Sequence, residues 1–361
     1  MAYASTSNLG NKHMNKHIAL LLLAASSTSA IAIEPKPASE APEGRVNFPS
    51  NFQVEQGWDL FVFGEYLYWI AKEDGLYYAH TGKGSGTADF PASGKSDFRG
   101  HLKKVDTEWD SAFRVGFGFN FPKQGLDIVA YWLKYSTDAS NSAHSSSGTL
   151  FSMWGFPDSS GAQTQTFAKG RWDLDLNCID LESGRSSWFG GSFSLRPFIG
   201  VRWLWIDQSL HNHYHYTTTP VSFGKLRSES DFMGGGVRAG GDARFVFGAG
   251  FHLYGIASGS LLYGEFNNNF SLKEDSVRIA HTKDHELKGI STLQLALGLG
   301  WETHFAKERC HLEFHLGWEQ NAFFNVNQMN HYMQQLHNGD FFKERGNLSL
   351  QGAVAGGRFD F

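Results

Sequence analysis

The stretch STLQLALGLGWE, residues 291–302, sets Leu293, Leu295, Leu297, Leu299 and Trp301 against Thr292, Gln294, Ala296, Gly298, Gly300 and Glu302 in strict alternation. A period of two is the mark of a β-strand with one apolar face. After an eight-residue connection, HLEFHLGWE (311–319) repeats the pattern, with Leu312, Phe314, Leu316 and Trp318 opposite His311, Glu313, His315, Gly317 and Glu319. The connection between the two is of the short kind that joins antiparallel neighbours.

The same alternation runs upstream. DSAFRVGFGFNF (110–121) puts Phe113, Val115, Phe117, Phe119 and Phe121 opposite Arg114, Gly116 and Gly118. LRPFIGVRWLW (195–205) sets Ile199, Val201, Trp203 and Trp205 against Arg196 and Arg202, and VRAGGDARFVF (237–247) sets its apolar residues against Arg238, Asp242 and Arg244. In RWDLDLNC (171–178), Trp172, Leu174 and Leu176 alternate with Arg171, Asp173 and Asp175.

Soluble sandwiches also alternate, with apolar residues inward. Their strands average five or six residues, however, whereas these segments run to about ten, the length that crosses a bilayer at a tilt. Gly and Arg filling the second face, with aromatic residues such as Trp69, Trp132, Trp301 and Trp318 near strand ends, fit a membrane barrel with a polar interior and interfacial girdles. Closure of the sheet leaves no unpaired backbone edge in lipid. The fold expected is therefore an all-β transmembrane antiparallel barrel.

Ten strands are expected, near 58–71, 108–121, 126–136, 170–187, 193–207, 231–247, 251–267, 290–304, 309–322 and 346–361, with up to sixteen if the first loop holds further hairpins. Short links near 122–125, 190–191, 248–250 and 306–309 alternate with long polar ones spanning 72–107, 137–169, 207–230, 268–288 and 323–345. Short periplasmic turns and long external loops have this asymmetry.

Composition agrees. The 361 residues are 15% aromatic and 19% charged, with 41 glycines, too aromatic for disorder and too polar for a helical bundle in a membrane. From Met14, MNKHIALLLLAASSTSAIA (14–32) has a basic start, a short apolar core and an Ala-x-Ala end, so residues 1–32 are read as a secretory signal peptide. Residues 33–56, rich in Pro, Glu and Ser, read as a flexible periplasmic leader, and 57–361 as the barrel. A net charge of −5 argues against a nucleic-acid partner. Two cysteines, Cys178 and Cys310, are too few for a disulfide scaffold, and alternation puts both on the lipid side.

The chain closes on GAVAGGRFDF (352–361). Phe359 and Phe361 fall on the lipid face of the last strand, with Arg358 and Asp360 inward. A terminal Phe in that place resembles the signal read by the bacterial barrel-assembly machinery. The stretches FVFGEYLYWIAKEDGLYYA (61–79), LRPFIGVRWLWIDQ (195–208), LYGIASGSLLYGEF (253–266), LGLGWET (297–303) and LSLQGAVAGGRFDF (348–361) resemble the major-outer-membrane-protein-like porins of chlamydia-related bacteria and Legionella. The resemblance covers residues 52–361. It implies an integral outer-membrane pore, in contact with outer-membrane lipid, that passes ions and small hydrophilic solutes, with a homo-oligomer and envelope disulfides as open possibilities.

On this reading the pore lining comprises Glu65, Arg114, Asp173, Asp175, Arg196, Arg202, Arg238, Asp242, Arg244, Glu313, Glu319 and Arg358. Rings of such charges select ions by sign. The same residues could instead pair across a narrow lumen and shut it, leaving a structural or adhesin-type barrel that acts through its external loops. Which holds turns on whether Arg202, Arg238 and Arg244 face water or carboxylates. No enzyme, cofactor or metal is expected. GKGSG (82–86) has its serine one place too late for a nucleophile elbow, and MGGGVRAGGDAR (233–244) lacks the ending of a phosphate loop. His211, His213 and His215 alternate, but no acid or cysteine nearby completes a metal set.

Overall fold

The computed structural model describes residues 48–49, 59–81, 100–121, 124–146, 150–154, 164–216, 223–275, 277–306, 309–332 and 341–361. The segments expected as signal peptide and leader lie outside the described residues, except for 48–49. Ten long strands form one antiparallel ring: β1 (Leu60–Glu73), β2 (Trp109–Phe121), β3 (Leu126–His144), β4 (Thr164–Arg185), β5 (Phe193–Tyr216), β6 (Phe223–Gly248), β7 (Phe251–Glu274), β8 (Val277–Phe305), β9 (Cys310–Asn327) and β10 (Gly346–Asp360). Each pairs with its neighbour in sequence, and β10 pairs with β1 to close the barrel. The last residue takes part in that closure. The Phe361 amide donates to the Leu60 carbonyl at 2.9 Å.

Short turns join the strands at one end. Gly250 sits there at φ +81°, where an added Cβ would lie 2.2 Å from the Glu302 carbonyl oxygen, so glycine is required on both counts. At the other end the strands run much further than expected. The segments 207–230 and 268–288, expected as loops, are mostly strand in the hairpins β5–β6 and β7–β8. Polar residues there do not break the ladder, because the outer face of a strand standing in water is satisfied by water.

Two environments are stacked along the longer strands. In the lower half the outside is apolar: Leu253, Leu261, Leu297, Leu299, Phe314 and Leu316 all point away from the barrel and are exposed. On β7 the outward apolar run from Phe251 to Tyr263 is about 12 rises of 3.3 Å, enough at a tilt of roughly 45° for the ~25 Å band of an outer-membrane barrel. Aromatic side chains mark its upper edge, where Tyr68 stacks on Trp109 with ring centroids 5.5 Å apart and Trp109 meets Trp318 at 5.9 Å. Trp69, expected in that girdle, points inward instead and is fully buried.

Above the band the rule inverts. Trp172, Leu176, Ile206, Leu210, Phe266 and Phe270 fill the inside, while Asp207, Ser209, Arg227 and Lys225 face out. On β4–β7 the upper half is thus packed like a soluble barrel, with buried apolar residues and a few buried polar ones within, whereas β8 keeps Asp284, Glu286 and Lys288 on its inner face and Leu287 outside. Chain segments between the strands fold over its mouth. Tyr77–Thr81 pairs with both Leu102–Lys104 and Leu150–Ser152, and its Tyr78 carbonyl accepts a 2.8 Å hydrogen bond from the Tyr214 hydroxyl. Trp154 donates to the Tyr77 carbonyl at 2.8 Å and stacks on His331 with centroids 4.2 Å apart.

Candidate functional site

The inward residues of the lower half form a network of ions that runs round the lumen. Arg196 on β5 holds Asp127 of β3 at 2.5 Å, Asp242 of β6 at 2.7 Å and Glu182 of β4 at 3.1 Å. Arg238 approaches Glu182 at 3.5 Å and donates to Gln294 at 2.6 Å; Gln294 in turn donates to Glu319 at 2.8 Å. Arg114 bridges Glu319 at 2.7 Å and Glu65 at 2.5 Å, and His315 completes the line on Glu65 at 3.0 Å. Eight strands contribute to this one chain of contacts. Nearer the short turns, Arg244 pairs with Glu302 at 2.9 Å and Glu313 at 3.2 Å, and Arg358 and His311 share Asp360 at 2.6 and 2.8 Å.

Arg202 stands at the top of the network. Its Nε and Nη2 each donate to Asp180 at 2.7 Å, and both residues are buried, Arg202 at 5% and Asp180 at 0% exposure. Directly above lie the apolar side chains of Leu176, Leu204 and Ile206. A cavity of about 250 Å³ remains among the charges below, lined by Arg114, Arg196, Arg238, Arg244, Glu182 and Glu313 with their neighbours.

Small side chains make room for this arrangement. Gly298 and Gly317 pair directly across β8 and β9, and the Tyr254 ring lies over both from inside. A Cβ at Gly298 would sit 2.4 Å from the Leu316 carbonyl oxygen and 2.6 Å from that ring.

Ten of the twelve expected lining residues face the lumen: Glu65, Arg114, Arg196, Arg202, Arg238, Asp242, Arg244, Glu313, Glu319 and Arg358. Asp173 and Asp175 do not. They stand on the outer wall, Asp173 with Arg171 at 2.6 Å and Asp175 with Lys134. Trp172, Leu174 and Leu176 point inward on β4 because that stretch lies above the lipid, where apolar residues belong inside. For the same reason Cys178, expected on the lipid side, is buried within the barrel, while Cys310 lies near a short turn; both are free thiols.

Parity does carry the missing residues. Ile179 and Leu181 alternate with Asp180 and Glu182, which sets these two acids on the inner face. Asp127, His252 and Glu302 were likewise absent from the expected lining. His311, Glu313 and His315, expected on one inner face, have separate partners in Asp360, Arg244 and Glu65. His211, His213 and His215 lie on the outer wall above the band, and no cluster of three or more potential ligands is arranged to hold a metal among the described residues.

An antiparallel barrel closed on itself, apolar outside over a bilayer's height and charged within, defines an integral outer-membrane β-barrel protein. Residues 52–361 match the family described as Legionella pneumophila major outer membrane protein precursor, and the chain belongs to that family. No curated protein sequence matches it. Among solved structures it is similar to the outer membrane protease OmpT of Escherichia coli, at 11% identity over 88% of this chain and 99% of that one, with a TM-score of 0.43. It is also similar to a FadL homologue of Pseudomonas aeruginosa (8% identity, 84% and 90% covered, TM-score 0.25) and to the monoaromatic hydrocarbon channel TodX in a deltaS2S3 mutant (7%, 85% and 91%, TM-score 0.28). Likenesses this distant carry no argument about activity.

Proposed function

We infer that this protein is a closed outer-membrane barrel, held in the lipid by its lower half and acting through the surfaces its upper half carries outside. The observation that carries this reading is the buried apolar cluster of the upper lumen, from Leu176, Leu204 and Ile206 up through Phe266 and Phe270 to the segments folded over the mouth, with buried polar residues such as Gln208, Asn212 and Asn268 packed among it. Arg202, Arg238 and Arg244 each have a carboxylate or amide partner. Barrels of about eight strands are filled by their own side chains, while open channels come with 16 to 18, and ten lies near the filled end. The role is then structural or adhesive, without catalysis.

A second reading, passive diffusion of ions and small hydrophilic solutes, is favoured by the charged cavity in the membrane half, whose arginines and acids have the composition of an ion filter. Planar-bilayer recording of the refolded mature protein separates the two. The closed barrel gives no discrete conductance steps. Steps that change size on substitution of Arg238 or Arg244 would overturn it in favour of a pore.

A further inference from the structure

The outer wall above the lipid band carries a row of cations that nothing in the lumen uses. Register alone sets Lys169 of β4, His213 of β5, Lys225 of β6, Lys273 of β7 and Arg278 of β8 side by side on five adjacent strands. With strands about 4.8 Å apart, the row is roughly 19 Å long. All five side chains are exposed, and the four permanent cations make no salt bridge among the described residues. The turns at the hairpin tips beside them, 217–222 and 276, contain no acid in sequence.

The neighbouring row differs in the way that matters. Arg171 and Arg227 are already engaged, by Asp173 at 2.6 Å and by Glu229 at 2.7 Å. Two acids, Glu274 and Asp275, stand at the hairpin tip beside the row; the Asp275 carboxylate accepts from the Phe223 amide and borders the groove that holds His213 and Lys225. Like charges placed directly opposite one another across strands cost stability. A rigid sheet that holds four unpaired cations in line is pre-organised for an extended partner of the opposite sign. The side chains form two shallow grooves meeting at His211, His213 and Arg227, one reaching Lys273 and Arg278 and the other Lys169.

Height decides what that partner is. His213 lies eight residues beyond Trp205, the last outward apolar residue of β5, which is about 20 Å above the band for a tilted strand. Lipid headgroups at the band's edge lie well below it. We propose that the row Lys169–His213–Lys225–Lys273–Arg278 is a docking track for a linear sulfated or carboxylated polysaccharide from outside the cell, laid across the strands of the upper barrel.

His213 faces Lys225 on β6, Lys169 on β4, and His211 and His215 on its own strand; burial and these cations hold its imidazole below the usual range. His211 is held down likewise, by burial and by Arg227, with Arg171 acting the same way and Asp173 and Glu229 opposing. Both shifts favour the neutral imidazole.

The inference goes beyond the closed-barrel reading and stands whether or not the lumen conducts. The test uses the refolded mature protein in detergent micelles, with heparin oligosaccharide as probe and uncharged dextran as control. Wild type should bind heparin and not dextran, and more weakly as salt rises. The quadruple variant Lys169→Gln/Lys225→Gln/Lys273→Gln/Arg278→Gln should lose about tenfold or more in affinity as its ion contacts go. Lys134→Gln, which alters a wall cation already engaged by Asp175 and outside both grooves, should change affinity far less. Unchanged heparin binding in the quadruple variant overturns the proposal. So does a wild type that ignores heparin yet binds vesicles of its own outer-leaflet glycolipid through the same four residues. All five positions are exposed or half-exposed on the wall, and the heat-modifiable gel shift of a folded barrel checks each variant before binding is read.

Discussion

Replacing Arg202 with Met while leaving Asp180 in place tests how dry the top of the lumen is. Asp180 is fully buried and accepts two hydrogen bonds from the guanidinium at 2.7 Å each, and Arg202 donates a third to Thr292 at 3.2 Å. Hydrogen bonds to charged groups contribute about 1.5–3 kcal/mol each, so two give roughly 3–6 kcal/mol. Breaking a buried ion pair from one side independently costs about 3–5 kcal/mol. The expected loss for Arg202→Met is therefore about 3–5 kcal/mol in urea unfolding of the barrel in lipid vesicles. Asp180→Leu alone should cost a similar amount, because it strands the guanidinium against Leu204 and Leu176. The double variant Arg202→Met/Asp180→Leu should return to within about 1–2 kcal/mol of wild type, since apolar residues of similar volume replace a buried pair at little net cost. The cycle then reports a strong favourable coupling. A loss below about 1 kcal/mol in Arg202→Met would mean that water solvates the abandoned carboxylate. That result refutes a dry upper lumen and with it the closed barrel.

Leu297 points into lipid at 59% exposure, and Leu297→Arg should cost about 2–4 kcal/mol of stability near the midplane, read by the same unfolding assay. Gly298→Arg, one residue along and facing inward, should also fail to fold normally, because even a Cβ there meets the Leu316 carbonyl and Tyr254; a normal gel shift for it would refute the glycine-pair packing. Glu73, at the inner top of β1 with both carboxylate oxygens buried and unbonded among the described residues, is raised well above the usual range by burial and by Asp74. Its acid form is favoured on folding, so its contribution is complete below about pH 4.3 and falls as pH rises; Glu73→Gln should flatten that decline and stabilise the barrel at pH 8. Phe361 deletion removes the amide that donates to Leu60 and an exposed aromatic beside Phe359, and should slow assembly in cells, measured as the folded fraction per unit time.

The strands and their facing in the lower half were legible in sequence because one environment acts on each face there. In β8 and β9 the leucines give the lipid side without ambiguity, and Arg114, Arg196 and Arg238 follow as inward residues. Reading failed where a strand crosses from one environment to another. In β4 the apolar residues are Trp172, Leu174 and Leu176 above the boundary and Ile179 and Leu181 below it, on opposite parities of one unbroken strand. A single rule for the whole segment therefore turned Asp173 and Asp175 inward and hid Asp180 and Glu182. Partnerships among the charges were not legible at all. Arg114 and Glu319 are 205 positions apart, and only the closure of the ring brings them to 2.7 Å.

The reversal of facing along β4–β7 also fixes how deep the barrel sits. Sinking it by one outward step would draw Asp207 and Asp231, now just beyond Trp205 and Met233, toward hydrocarbon. Raising it by one step would lift a belt of leucine, tyrosine and tryptophan into water. Both displacements are opposed on many strands together, so the wall carries its own waterline. A bilayer thicker or thinner than the band must then adjust to the protein by stretching or compressing around it. The barrel acts as a rigid gauge of membrane thickness, and it will collect where the surrounding lipid already has that depth.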